Sequence, residues 1–138
     1  IISPIGYSAK KQHLVENIIR KVAKSNVRKP FDQLFFKTDF NTIISDSLTR
    51  DMLEFVRLAP SASNKQPWRI IINESQIAHF FIERTPNYEN QLGYDIQMVD
   101  IGIALSHYII ISGKKTIFKE SINIKLPNNN YSYVFSVS

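Results

Sequence analysis

The sequence predicts an α+β fold, an antiparallel sheet packed against helices, on three observations. Apolar residues recur at helical spacing in three segments, 9–24, 48–58 and 96–111. Two short apolar runs, 68–72 and 77–82, flank the turn Asn73-Glu74-Ser75 and read as a hairpin. The last segment, 131–137, alternates as a half-buried strand does. Helices separated by hairpins belong to a layered α+β architecture. At 138 residues the chain is one domain, 1–138, long enough to bury a core without staples.

Residues 1–7 read as a short strand or extended entry ending at Gly6, with Ser8 as the N-cap of the first helix. From Ala9 to Lys24, Leu14, Val15, Ile18, Ile19 and Val22 make one apolar stripe. Pro30 biases Lys29 away from helix and ends the segment. Phe31, Leu34 and Phe35 stand at i, i+3 and i+4, a short helical turn followed by loop to Phe40. Ser45 or Ser47 caps a second helix from Leu48 to Leu58, with Leu48, Met52, Phe55, Val56 and Ala59 as its stripe. Pro60 ends it, and Ser61 to Pro67 is polar loop before the strand at Trp68. Arg84 to Tyr94 is loop. Within the third helix, Gly102 and Ala104 invite close approach by another element, and Gly113 marks its exit. After a turn at 128–130, Tyr131, Tyr133, Phe135 and Val137 alternate with Ser132, Val134 and Ser136.

Hydrophobic residues make up 43% and charged residues 21%, a globular balance. The absence of cysteine excludes disulfides, cysteine-ligated zinc, iron–sulfur clusters and thiolate nucleophiles, and fits a reducing, cytoplasmic setting. A net charge of +5 favours anionic ligands. The basic residues are scattered, without a helix-turn-helix, zinc-finger or aromatic RNP pattern, which argues against nucleic acid. His13, His79 and His107 lack ligand spacing, so no metal site is expected. No apolar run reaches the length of a membrane span. The chain opens on Ile1-Ile2-Ser3, with neither Met nor a signal-peptide pattern, and reads as a fragment.

The informative segment runs from Arg57 to Trp68: a helix ends, a polar loop crosses, and a strand begins. Its hydroxyls, amides and Lys65 could hydrogen-bond the carbonyls and ring nitrogens of a heteroaromatic cofactor, or a phosphate. By composition alone the more ordinary reading is a cap-and-turn loop, and Arg28 with Lys29 a solvated pair. Arg57 suits the last turn of its helix in any case. Asp100, inside an apolar helix, either is buried and hydrogen-bonded or faces water.

This loop resembles the Ala-Pro-Ser-x-x-Asn-x-Gln-Pro-Trp signature of the nitroreductase family, matching at Ala59, Pro60, Ser61, Asn64, Gln66, Pro67 and Trp68. Asp100-Ile101-Gly102-Ile103-Ala104 resembles the family's central Asp-x-Gly-x-Ala helix. Arg28 to Phe36, with Pro4-Ile5-Gly6-Tyr7, resembles the single-chain TM nitroreductase branch, in which one polypeptide carries two related halves with the flavin between them. The resemblance implies a nitroreductase-like half domain, the C-terminal half, that pairs with a second related half, upstream or in another copy. It implies FMN as cofactor, NAD(P)H as donor and a nitroaromatic, quinone or similar small-molecule acceptor. The cofactor carries that chemistry, so no catalytic side chain is expected. Pro60, Ser61, Ala62 and Ser63 would lie against the isoalloxazine. Asn64 and Gln66 would bond the flavin or brace the loop, and Trp68 would anchor the strand. The Arg-x-Ser-x-Arg-like element that grips FMN in ordinary members has no good match here. Arg28 and Lys29 stand in a comparable place and could meet the phosphate. The competing reading is a non-catalytic α+β half domain that binds a partner subunit or nucleic acid without flavin.

Overall fold

The computed structural model describes residues 27–86, 88 and 93–138. The expected opening strand, the Ser8 cap and the helix over 9–24 lie outside the described residues. The rest forms the expected α+β arrangement. A five-stranded sheet has the order β1-β2-β3-β5-β4, from β1 (Phe35–Lys37), β2 (Trp68–Ile72), β3 (Ala78–Glu83), β4 (Ile117–Phe118) and β5 (Tyr131–Val137). Helices α1 (Ser47–Arg57) and α2 (Ile96–Ser112) pack on one another and close the main core over one face of the sheet.

β2 is buried along its whole length because both faces of the sheet are covered, which is why its sequence is apolar apart from Arg69, whose buried charge is paired with Glu83. Trp68, Ile70 and Ile72 join Phe80, Ile82, Ile101, Ala104 and Tyr108 in the main core. On the other face Ile71 and Phe81 pack with Phe36, covered by Phe40, Ile122, Ile124 and Tyr133. The predicted hairpin is present, with Trp68 opposite Ile82 and Ile72 opposite Ala78. Ile77 belongs to its turn, where its N–H donates to Asn73 Oδ1 at 2.9 Å.

Five expectations are corrected. The loop after Phe31 contains β1, parallel to β2 with Phe35 opposite Ile70; so short a strand exists only through that distant partner. β4, which no local pattern announced, pairs with β5. The cap of α1 is Asp46, whose carboxylate accepts from Thr49 N at 2.8 Å, and Ser47 is already helical. The stripe of α1 holds at Val56 and Ala59, which are buried, and at Met52, which packs on the core, but Leu53 joins them while Leu48 is 79% exposed and Phe55 is exposed. Gly102 faces open space, and Ala104 is the small residue at the packed face of α2. The alternation of β5 is also interrupted. A register shift between Phe80 and Phe81 sets Phe135 and Tyr133 opposite them, leaving Val134 as the extra residue of a bulge. Gly113 ends α2 as expected, with φ 71°. No helix among the described residues is long and apolar enough to cross a membrane.

His79, only 4% exposed, lies on the face opposite the helices. Asn73 Oδ1 is occupied by the Ile77 amide, so Asn73 Nδ2 donates to His79 Nε2 at 3.2 Å. The imidazole proton therefore sits on Nδ1, which donates to Ser136 Oγ at 2.8 Å. Protonating Nε2 would set donor against donor. Burial pushes the pKa below its ordinary 6.5, with Glu120 pulling it back up. A folded pKa below the unfolded one means that stability is full above pH 6.5 and is lost as pH falls through the folded value. Urea denaturation followed by Trp68 fluorescence should show this loss setting in as pH falls below 6.5. His79→Gln should flatten it, and an unchanged slope would refute the assignment.

Candidate functional site

The bend between α1 and β2 is the most constrained backbone in the described structure. Pro60 ends the helical path, Ser61 is extended, and Ala62–Asn64 forms a single 3-10 turn. Ser63 (φ 48°), Asn64 (φ 54°) and Gln66 (φ 47°) all occupy the left-handed region, and none is glycine. Asparagine tolerates this conformation, whereas for the other two it costs about 1–2 kcal/mol each. Such a bend persists only when its surroundings over-determine it, and strain of this kind concentrates at functional sites.

The braces come from three directions. Within the bend, Gln66 N donates to Ser61 Oγ at 2.8 Å, and Gln66 Nε2 donates to Asn64 Oδ1 at 2.9 Å. From the segment before β1, Lys29 N donates to Gln66 Oε1 at 2.8 Å. Asn64 Nδ2 donates to Val27 O at 2.7 Å, and Arg28 Nη1 donates to Asn64 Oδ1 at 3.3 Å. From α2, Asp100 Oδ1 accepts the Ala62 amide at 2.8 Å. Beyond the bend Trp68 is fully buried and seats the strand in the core, as expected of an anchor. Buried Arg69 donates to Gln66 O at 2.9 Å and to Glu83.

Beside the bend lies a cleft of about 380 Å³ lined by Lys29, Asn64, Lys65, Glu83, Arg84 and Asn130, among others. Its electrostatics are uneven. Lys29 Nζ stands 3.7 Å from Glu83, which also pairs with Arg69. Burial, and then the Arg69 charge, lower the Lys29 pKa, Glu83 pulls it up, and Lys65 lowers it further. Three cations thus crowd one carboxylate, an arrangement that an added anion relieves. Tyr88 donates its hydroxyl hydrogen to Ser63 Oγ at 3.0 Å, and its ring lies 5.5 Å from Lys65 Nζ. A cavity of about 90 Å³ beside Lys37, Asp46 and Asn73 is too small for a cofactor.

The structure brings the sequence-selected residues together. Ser61, Ala62, Ser63, Asn64 and Gln66 form the bend, Pro60 stands exposed at its start, and Arg28 with Lys29 reaches it from more than 30 residues away. Of the two roles open to Asn64 and Gln66, both side chains take up bracing. Gln66 is 2% exposed and its amide is spent on Lys29, Val27 and Asn64. Asp100 is buried, which decides between its alternatives; burial raises its pKa and the Ala62 amide lowers it. Lys65, offered by the sequence only as one polar group of the loop, lines the cleft. Sequence reasoning did not select Glu83, Arg69 or Tyr88, which join through tertiary contact. The exposed Pro60, the half-buried Ala62 and the adjoining cationic cleft fit a ligand with both a planar ring and a phosphate.

Residues 1–112 match the family model described as Putative TM nitroreductase. The match spans the bend, its braces and all of α2, and ends before β4 and β5. No curated protein and no solved structure matches the chain.

Because Gln66 links the bend to Lys29 and to Asn64, Gln66→Ala should cost about 1–3 kcal/mol in urea denaturation. Amide exchange should accelerate across residues 61–66 and stay slow in β3. Unchanged exchange in the bend would show that the amide is dispensable.

Proposed function

The chain belongs to the Putative TM nitroreductase family, and we propose that it is the C-terminal half of an FMN-dependent oxidoreductase. The observation that carries this reading is the glycine-free left-handed bend set against a cationic cleft. Pro60, Ser61, Ala62 and Ser63 would flank the isoalloxazine. Asn64 and Gln66 would hold the bend in shape beneath it. Arg28 and Lys29, joined by Lys65, would face the phosphate. Bound there, FMN would supply the redox chemistry between NAD(P)H and a nitroaromatic, quinone or similar acceptor. The protein's own groups bind, orient and exclude water, and no acid–base side chain is required. We place the protein in the cytoplasm on the same reading.

The purified chain should show flavin absorbance bands, or acquire them when FMN is added and excess removed. Asn64→Ala should weaken FMN binding roughly tenfold, the equivalent of about 1.4 kcal/mol for a lost brace. A folded chain that takes up no FMN would favour the non-catalytic half domain.

Pairing with a second related half is the other element of the proposal. Leu48, Phe55 and Leu58 of α1 and its end, and Val99 and Ile110 of α2, are exposed, Ile110 to 81%. So many exposed large apolar side chains on two neighbouring helices suit a partner of the same architecture. Light scattering should report a mass above the 16.0 kDa of one chain. Leu48→Lys with Ile110→Lys should return it to a monomer, and a monomeric wild-type chain would oppose self-pairing.

A further inference from the structure

Asp100 carries more charge than its visible task needs. It is the fifth residue of α2, 2% exposed. Oδ1 accepts the Ala62 amide at 2.8 Å, and Oδ2 is buried without a hydrogen-bond partner. The only other buried side chain with a formal charge among the described residues apart from histidine is Arg69, which pairs with Glu83. The described ion pairs leave Asp100 without a cation. A buried carboxylate of this kind is costly, and burial accordingly raises its pKa. Asparagine would hold the Ala62 amide equally well, with no charge to bury. A stability liability of this kind beside a strained bend points to a use for the charge itself.

We propose that Asp100 is a positioning residue whose buried negative charge, fixed behind the bend by the Ala62 amide, lowers the reduction potential of the redox group carried there. The inference rests on the FMN reading above. Transfer of a hydride from NAD(P)H releases NAD(P)⁺ and adds the hydride's negative charge to the flavin. A nearby buried anion opposes that gain, so the oxidised form is favoured. The effect acts through charge and place, without contact between Asp100 and the reacting atoms.

The test compares wild type with Asp100→Asn and Asp100→Leu in three measurements: FMN titration, the midpoint potential of bound FMN, and exchange of the Ala62 amide in the FMN-free protein. D100N should keep the Ala62 amide protected and bind oxidised FMN within about twofold of wild type. It should favour reduced over oxidised FMN about tenfold more, a rise of about 30 mV for a two-electron couple. D100L, which lacks the acceptor, should lose protection at Ala62 while the amides of β2 stay protected. An unchanged midpoint in a D100N that binds FMN overturns this inference and leaves the FMN reading standing. A D100N that unfolds or loses the Ala62 protection, or a D100L that keeps it, overturns the positioning role. A wild-type chain that binds no FMN overturns both.

Discussion

Three left-handed residues without a glycine, held between a helix and a strand, set the terms for the rest of the structure. A free chain would straighten such a bend. Here Asp100 holds it from α2, Val27 and Lys29 hold it from the segment before β1, and Ser61 closes it on itself. Each brace is useful only if the element supplying it is fixed. α2 must therefore lie squarely on the sheet, which Ile101, Ala104 and Tyr108 ensure. The segment entering β1 must run past the bend, which the parallel pairing of β1 with β2 ensures. Arg69, donating to Gln66 O from the buried second residue of β2, ties the bend to the most enclosed strand of the sheet.

The two faces of the sheet divide the work. The helical face supplies the large apolar core that stabilises the fold, each fully buried aliphatic or aromatic side chain contributing roughly 1.5–3 kcal/mol. Among the described residues the opposite face is covered by Phe40, Ile122, Ile124 and Tyr133. That face also accommodates polar groups: Arg69 meets Glu83, and His79, Ser136 and Tyr133 form a hydrogen-bonded chain. The cationic cleft borders this polar side because Glu83 ends β3 next to Lys29.

What the sequence made legible was local. The hairpin, the helix over 96–112 and the final strand follow from periodicity and turn residues within one window. β1 and β4 are too short to carry a period and exist through partners far along the chain. The stripe of α1 is right only in part because that helix is apolar on two sides, with Leu53 and Val56 buried and Leu48 and Phe55 exposed. Periodicity identifies an apolar side but does not say which of two meets the core. The same limit applied at the site. The signature located the bend, yet nothing in Ser61 to Pro67 states that Lys29, some 37 residues upstream, donates to Gln66. Toward Asp100 the sequence offered the odd placement of an aspartate within an apolar helix and the Asp-x-Gly-x-Ala resemblance, neither of which named Ala62 as its partner.

The charges around the bend differ from end to end. At the Asn64–Lys65 end, Lys29, Lys65 and Arg69 crowd one carboxylate. Behind Ala62, at the other end, stands a buried carboxylate that no described cation pairs with. Neither end is at its electrostatic optimum alone, since the cations repel one another and the anion is desolvated. A neutral ligand would relieve neither. On the proposed reading, a ligand with its phosphate at the lysines and its ring toward Ala62 relieves the first, and the second keeps its tension as a bias on the ring's charge. The bend separates the two environments by only a few residues, which is what its costly backbone achieves and a relaxed turn would not.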